Sequence, residues 1–395
     1  MQGTPAIETI AAPRLTPRVT LAMAVAAGCA GANVWYNQPM LGVIAADLGV
    51  ATRTVALIPT ATQIGFASGI VLLLPLGDRM DRRTLILRQL VFLTLALLAA
   101  ALAPNATTLI VASIAVGMGA CTAQQIIPFA AELAPPDARG RAVGTVMSGL
   151  LLGILLGRVL SGTVARHAGW RPMFFLAAGI AVLVGIMLAA ILPRSRPQFR
   201  SSYAGLLASL LALIRTQPRL RRAALVQAGL FGGFSAFWSV LALKLQAPPL
   251  ELGSDIAGLF GIVGAAGVTV ASIAGRLADR HGPRGVIGAG IVLVATSFVV
   301  FALWPTVPGL ILGLVLLDLG VQGAQIANQS IIYALQPEAR GRLNTVFMTG
   351  MFIGGAIGSG AAGVGWALAG WPAVCAVGFA LALLSLAAHL RPLRS

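Results

Sequence analysis

Apolar runs of about twenty residues recur from one end of this chain to the other, and that repetition limits its fold more than any other feature. A helix needs ~20 apolar residues to cross the hydrocarbon core of a bilayer. Backbone in lipid must also satisfy its own hydrogen bonds, which a helix does within itself. Reading each run as one crossing gives twelve spans, at 18–46, 54–76, 84–103, 106–133, 142–166, 172–192, 223–246, 254–275, 285–304, 308–334, 343–368 and 372–390. Only 10% of the 395 residues are charged, too few to wet the surface of a soluble protein of this length. The expected fold class is an all-α integral membrane protein with twelve transmembrane helices.

The net charge of +16 raises nucleic acid as a partner, and its placement removes that reading. With both termini cytoplasmic, inside segments hold 22 of the 27 Lys and Arg residues, seven of them between 194 and 222. Outside segments hold Arg53, Arg166, Arg171 and Lys244, and Arg158 alone lies within a span. This is the positive-inside pattern of a multi-pass protein of the cell inner (plasma) membrane, whose partner is the lipid bilayer and not nucleic acid. Residues 1–17 lack the ordered basic start, apolar core and cleavage site of a secretion signal. Cys29, Cys121 and Cys375 all fall in apolar runs and read as packing residues, without disulfide or metal roles.

The chain also repeats itself. At an offset of 201 residues, Asp78-Arg79 falls on Asp279-Arg280 and Arg83 on Arg284. Pro136 to Arg141 (PDARGR) falls on Pro337 to Arg342 (PEARGR) at the same offset. Gly149, Gly153, Gly157 and Gly162 fall on Gly350, Gly354, Gly358 and Gly363, and Gly169-Trp170 on Gly370-Trp371. The expected organisation is a tail at 1–17, a six-helix bundle at 18–192, a basic linker at 193–222, a pseudo-symmetric six-helix bundle at 223–390 and a tail at 391–395. Within the linker, YAGLLASLLALIRT has the pattern of an amphipathic surface helix. Two parallel halves of this kind place a substrate site near the midplane, where they meet.

The loop stretches GDRMDRR (77–83) and GRLADRHGPR (275–284) resemble the signature Gly-x-Leu-Ala-Asp-Arg-x-Gly-Arg-Arg of the major facilitator superfamily. The second copy is nearly complete; the first has Leu74 at the leading glycine and Asp81 at the second. With AGANVWYNQPMLGVIAADLG in span 1, the chain looks like a bacterial efflux permease of the branch that exports sugars, nucleosides and drug-like compounds. The resemblance implies a cavity lined by spans 1, 4, 7 and 10. It also implies a small-molecule substrate and protons as partners, a monomer, and no cofactor.

Those four spans carry the polar residues. In span 10, Asp318, Gln322, Gln325 and Gln329 lie within roughly 60° of one another on a helix, with Asn328 off the stripe. Asp318 is the one acid deep in a span. A charged Asp at the centre of a lone helix costs ~2.5–3.5 kcal/mol or more, so it should face protein or a wet cavity. Span 1 offers Asn33, Tyr36 and Asn37, which the repeat sets against Phe234, Phe237 and Trp238 of span 7. Span 4 offers Gln124 and Gln125, followed by Pro128, which can bend a helix. Each could equally be helix packing, in which amides bridge helices and aromatics fill gaps.

Arg158 and Asp318 lie at comparable depth, and we expect them to approach across the seam as a proton-coupling pair. Span 5 departs from the drug/proton antiporter pattern, with Ile154 at its proline and Arg158 at its final glycine. Asp78, Arg79, Arg82, Arg83, Glu132, Asp279, Arg280 and Arg284 are the candidate cytoplasmic gate, with Arg82 or Arg83 pairing Glu132. No metalloprotease, nucleophile-elbow or nucleotide-loop motif occurs, so no enzyme, catalytic residue or metal site is expected. The expected function is export of a small organic solute by alternating access with proton antiport. A facilitator, an importer or a non-transporting sensor are the alternatives.

Overall fold

The computed structural model describes residues 15–135, 137–195, 202–264 and 282–392, except the side chains of Asp78 and Pro337. Among these, ten helices are long and apolar enough to cross a membrane. The last, α15 (Arg340–Leu390), holds two of the expected spans, because Ala369 and Gly370 leave helical geometry inside it. Helix α12 begins another at Ser254 and is described to Gly264, so the described elements accord with twelve. Their outward faces are apolar, with Leu183, Leu303 and Leu368 among the most exposed side chains.

Local chemistry sets the ends. Thr16 caps α1 (Pro17–Ala32) through Val19, and Pro17 fills the first turn, where no amide partner is needed. Asp81 caps α5 (Arg82–Ala101), and Asn105 caps α6 (Ala106–Ala120) through Thr108 at 2.9 Å. Gly169 (φ 84°) ends α8 (Arg139–Ala168) before α9 (Trp170–Ile191), and Gly370 (φ 66°) makes the corresponding break inside α15. Both positions need the left-handed region that glycine reaches freely. The tryptophan after each is anchored, Trp170 on Asp47 Oδ2 and Trp371 on the Phe301 carbonyl.

Two expected spans are interrupted. Span 1 breaks at residues 33–36 between α1 and α2 (Asn37–Leu48), where the Asn33 amide turns back on the carbonyls of Cys29 and Ala30. Span 4 breaks at Cys121 between α6 and α7 (Thr122–Leu133), seven residues before Pro128, where Thr122 bonds the Gly119 carbonyl at 2.7 Å. Helix α7 runs on through Pro128.

The glycine series packs helices in both sets. A Cβ at Gly28 of α1 would stand 2.5 Å from the Gly149 carbonyl oxygen of α8. In the second set, a Cβ at Gly354 of α15 would lie 2.5 Å from Ala228 Cα of α11 (Pro218–Gln246). Between them, α10 (Tyr203–Thr216) buries Leu210 and Leu213 and hangs on the first set through the Tyr203 hydroxyl, which donates to the Leu72 carbonyl.

Contacts between the two sets gather in the middle and at one end. Arg166 pairs with Asp255 at 3.1 Å, and the Ser254 hydroxyl donates to the Gly162 carbonyl at 2.9 Å. Thr60 of α4 (Leu57–Leu73) bonds Ser359 of α15 at 3.1 Å, and Ser359 bonds Ser239 of α11 at 2.7 Å. Further along, Phe66 of α4 and Phe352 of α15 pack with ring centroids 4.3 Å apart. Outside them a groove of about 600 Å³ runs along the exposed faces of the two helices, past Ile64, Ser68 and Leu72 on one side and Thr349, Ile353 and Ile357 on the other.

Candidate functional site

At the seam, the turn between α1 and α2, the middle of α8, the aromatic face of α11, the start of α12 and the acid of α14 (Val307–Tyr333) converge. Arg158 of α8 is only 5% exposed. Its guanidinium carbon sits 3.7 Å from the ring centroid of Trp238 and 4.8 Å from that of Trp35. The charge is thus held between two indole faces, an interaction worth ~2 kcal/mol or more when desolvated. Arg158 Nη2 donates to Gln38 Oε1 at 3.2 Å.

Asp318 is 4% exposed. Its Oδ2 and the edge of Trp238 share the space beside Gly264, where a Cβ would lie 3.0 Å from Oδ2 and 3.5 Å from Trp238 Cζ2. Gly258 and Gly261 let α12 reach Arg158 itself, since a Cβ on Gly258 would be 2.6 Å from the Arg158 carbonyl oxygen. Arg158 and Asp318 interact electrostatically but close no ion pair. Among the described residues, four buried atoms here have no hydrogen-bond partner: Gln38 Nε2, Arg158 Nε, Trp238 Nε1 and Asp318 Oδ2. Each such group costs ~1–3 kcal/mol, more when charged, so the cluster is not arranged for stability.

The sequence candidates are distributed as follows. Phe234 belongs to the cluster, stacked on Phe231 at 5.3 Å and edge-on to Trp35 at 6.0 Å. Phe237 stacks on Phe301 at 4.5 Å, beside Trp371 in the interior of the second set. Asn37 donates to Thr62 at 2.8 Å, and Tyr36 is buried against the Gly157 position of α8, so both amide and phenol face helices of their own set. Asn33 is turned on its own helix. Gln322 and Gln325 are half-buried on the same side of α14 as Asp318, and Gln124 is half-buried on α7. Asn328, off that stripe, is bonded instead to Gln227 of α11. Gln125 is fully buried and donates to the Leu73 carbonyl at 2.6 Å, tying α7 to the end of α4.

Of the loop candidates, Arg82 lies 3.0 Å from Glu132 without hydrogen-bond alignment, joining α5 to α7 inside one set. Arg83 donates to the Ala189 carbonyl of α9, Arg79 is exposed, and Arg284 lies near Arg222. Asp279 and Arg280 lie outside the described residues, as does the side chain of Asp78.

Trp35 and Gln38 are the site residues that sequence reasoning missed. A continuous helix through span 1 favours the Asn33–Tyr36–Asn37 face, and the turn at 33–36 presents a different one. Pro39, in the first turn of α2, was the available signal, because proline suits a helix start.

Residues 23–272 and 223–395 match the sequence profile described as Major Facilitator Superfamily. The uncharacterized transporter YgaY of Escherichia coli O157:H7 is 38% identical, over 94% of this chain and 95% of that protein. A protein of Helicobacter pylori (strain G27), named a probable sugar efflux transporter, is 25% identical over 88% of each chain. The crystal structure of peptide transporter POT in complex with sulfate superposes with a TM-score of 0.74 at 13% identity, covering 95% of this chain and 96% of that one. That likeness is one of fold.

Proposed function

The chain belongs to the major facilitator superfamily, a family of transporters and not enzymes, and on that premise we propose that it exports a small organic solute across the inner membrane in exchange for protons. The observation that carries this reading is the buried, unclosed Arg158–Asp318 pair set around Trp238 at the seam of the two sets. Two opposite charges held near each other but apart form an element with two states. With Asp318 ionised the two charges can hold a solute between them; a proton on Asp318 loosens that hold, so proton and solute occupy the site in turn, as exchange requires. Each state biases the packing of α8 and α12 against one another, and a bias of a few kcal/mol is enough to shift an access equilibrium.

With the arginine-rich loops cytoplasmic, the ties of Arg166, Asp255 and Ser254 lie at the outer end. The ion pair and the hydroxyl bond support reading that end as closed. Solute would enter past Gln124, Gln322 and Gln325 and reach Phe234, Trp238 and Asp318 at the closed end. Arg79, Arg82, Arg83, Glu132 and Arg284, with Asp78, Asp279 and Arg280, would hold the cytoplasmic end when it closes.

Export is read as the direction because one relative carries an efflux name across most of both chains. The test uses proteoliposomes with an internal pH dye and solutes from the sugar, nucleoside and drug-like classes. Solute-dependent proton movement is expected from the parent and none from Asp318→Asn, which should still exchange solute against solute. Equal proton flux from parent and variant removes Asp318 from coupling.

A further inference from the structure

The four unpartnered atoms at the seam differ in kind. Gln38 Nε2, Arg158 Nε and Trp238 Nε1 are donors; Asp318 Oδ2 is an acceptor. Every residue that bears one is at least nine-tenths buried: Gln38 is 2% exposed, Trp238 2%, Asp318 4% and Arg158 5%. The donors cluster about the guanidinium, with Gln38 bonded to it and Trp238 stacked on it. The acceptor lies beside Gly264 with Cζ2 of the same indole, on the edge that also carries Nε1. Trp35, Phe231 and Phe234 pack together beside the cluster as one aromatic group.

What fits such a site has an anionic end and a cationic end a short distance apart. A carboxylate supplies two acceptor oxygens to the three donors, in charge-assisted bonds to Arg158. An ammonium supplies donors to Asp318. A neutral sugar placed between the two charges would separate them and supply neither with a replacement counter-charge. A simple anion would leave Asp318 unmet, and a simple cation would leave Arg158 unmet. We infer that the solute is a small zwitterion, a free α-amino acid with an apolar side chain, its carboxylate held by Arg158, Gln38 and Trp238 and its ammonium by Asp318. The inference rests on the reading of this seam as the transport site.

The experiment is a thermal-shift and competition series on the purified full chain, with leucine, methionine, phenylalanine and tryptophan as probes. Each is compared with its amide, which lacks the anion, and its N-acetyl derivative, which lacks the cation. At least one free amino acid should raise Tm, with both derivatives binding about tenfold or more weakly, as loss of a charged hydrogen-bonding group predicts. In Asp318→Asn the penalty for N-acetylation should shrink while the penalty for amidation stays. In Arg158→Gln the reverse should hold. If no free amino acid shifts Tm, or the derivatives bind as well as the parents, the inference is overturned. Proton-coupled flux of sugars, nucleosides or drug-like compounds without an amino-acid response would leave the export reading intact and sink this one. Amino-acid binding with the stated charge preferences, but no flux, would do the opposite.

Discussion

Trp238 is the residue on which both charges of the seam depend, since one face carries the Arg158 guanidinium and one edge meets Asp318. Its two contributions can be separated. Trp238→Phe keeps an aromatic face but removes the unpartnered Nε1 donor, while Trp238→Ala removes the face as well. The stacked face is worth ~2 kcal/mol when desolvated, roughly thirtyfold in an equilibrium. Initial export rates should therefore fall several-fold for Trp238→Phe with KM raised, and to background for Trp238→Ala. Equal rates for both variants would show that the ring does not hold Arg158 in place during transport. Arg158 and Asp318 stand out in the sequence as charges inside apolar runs, and Trp238 through the repeat that sets it against Asn37. Trp35 and Gln38 were not, because which face a residue occupies depends on where the helix breaks. Propensity does not place a break caused by one amide folding back on Cys29.

At the scale of elements, the 201-residue repeat predicts where helices cross most closely. Gly153 of α8 lies against the Gly28 backbone of α1, where a Cβ would meet main-chain atoms that cannot rotate away. Gly153→Val should lower stability by ~1–3 kcal/mol through overpacking. Gly179→Ala, on α9 with open space around the Cβ position, should be neutral or slightly stabilising. The Tm of each variant in detergent decides it, and equal values would place the α1–α8 contact elsewhere. The N-terminus of α5 carries a pH signature of its own. Burial pushes the Asp81 carboxyl up, but hydrogen bonds from the Thr84 hydroxyl, the Ser195 and Thr84 amides and the Ser195 hydroxyl outweigh it, leaving it below the usual carboxylate range. A carboxyl depressed on folding stabilises fully above its unfolded titration range, and that contribution is lost as pH falls through the folded one. Asp81→Ala should cost ~0.5–2 kcal/mol near neutral pH, and the gap from the parent should narrow on acidification. A gap that stays constant with pH would remove the ionised cap from the account. The glycines stand out in the sequence through the repeat; the Asp81 cap does not, and its partner Ser195, over a hundred positions away, depends on how α5 and α9 pack.

For the whole molecule, the question is what keeps the end at Arg166 and Asp255 shut. The ties across the shut end are modest. Arg166 and Asp255 are half-exposed, and such pairs are typically worth ~0.2–1 kcal/mol. The Ser254 hydroxyl bond to Gly162 and the Thr60–Ser359 bond add neutral bonds of the same order. A transporter needs both ends to open, and a seam closed by a few weak contacts is one that small changes in charge can reverse. Asp255→Arg turns the attraction at Arg166 into repulsion and should raise the population open at that end by a few-fold. The reporter is a thiol in Ser254→Cys, buried in the closed state, with Cys29, Cys121 and Cys375 changed to Ala. A membrane-impermeant maleimide added from the Asp255 side should label that thiol faster in the Asp255→Arg background. Combining Asp255→Arg with Arg166→Asp restores the opposite charges and should return the rate toward that of the parent. If the single variant labels no faster, the ion pair does not govern closure, and the Thr60–Ser359 bond and the helix packing beneath it carry the gate.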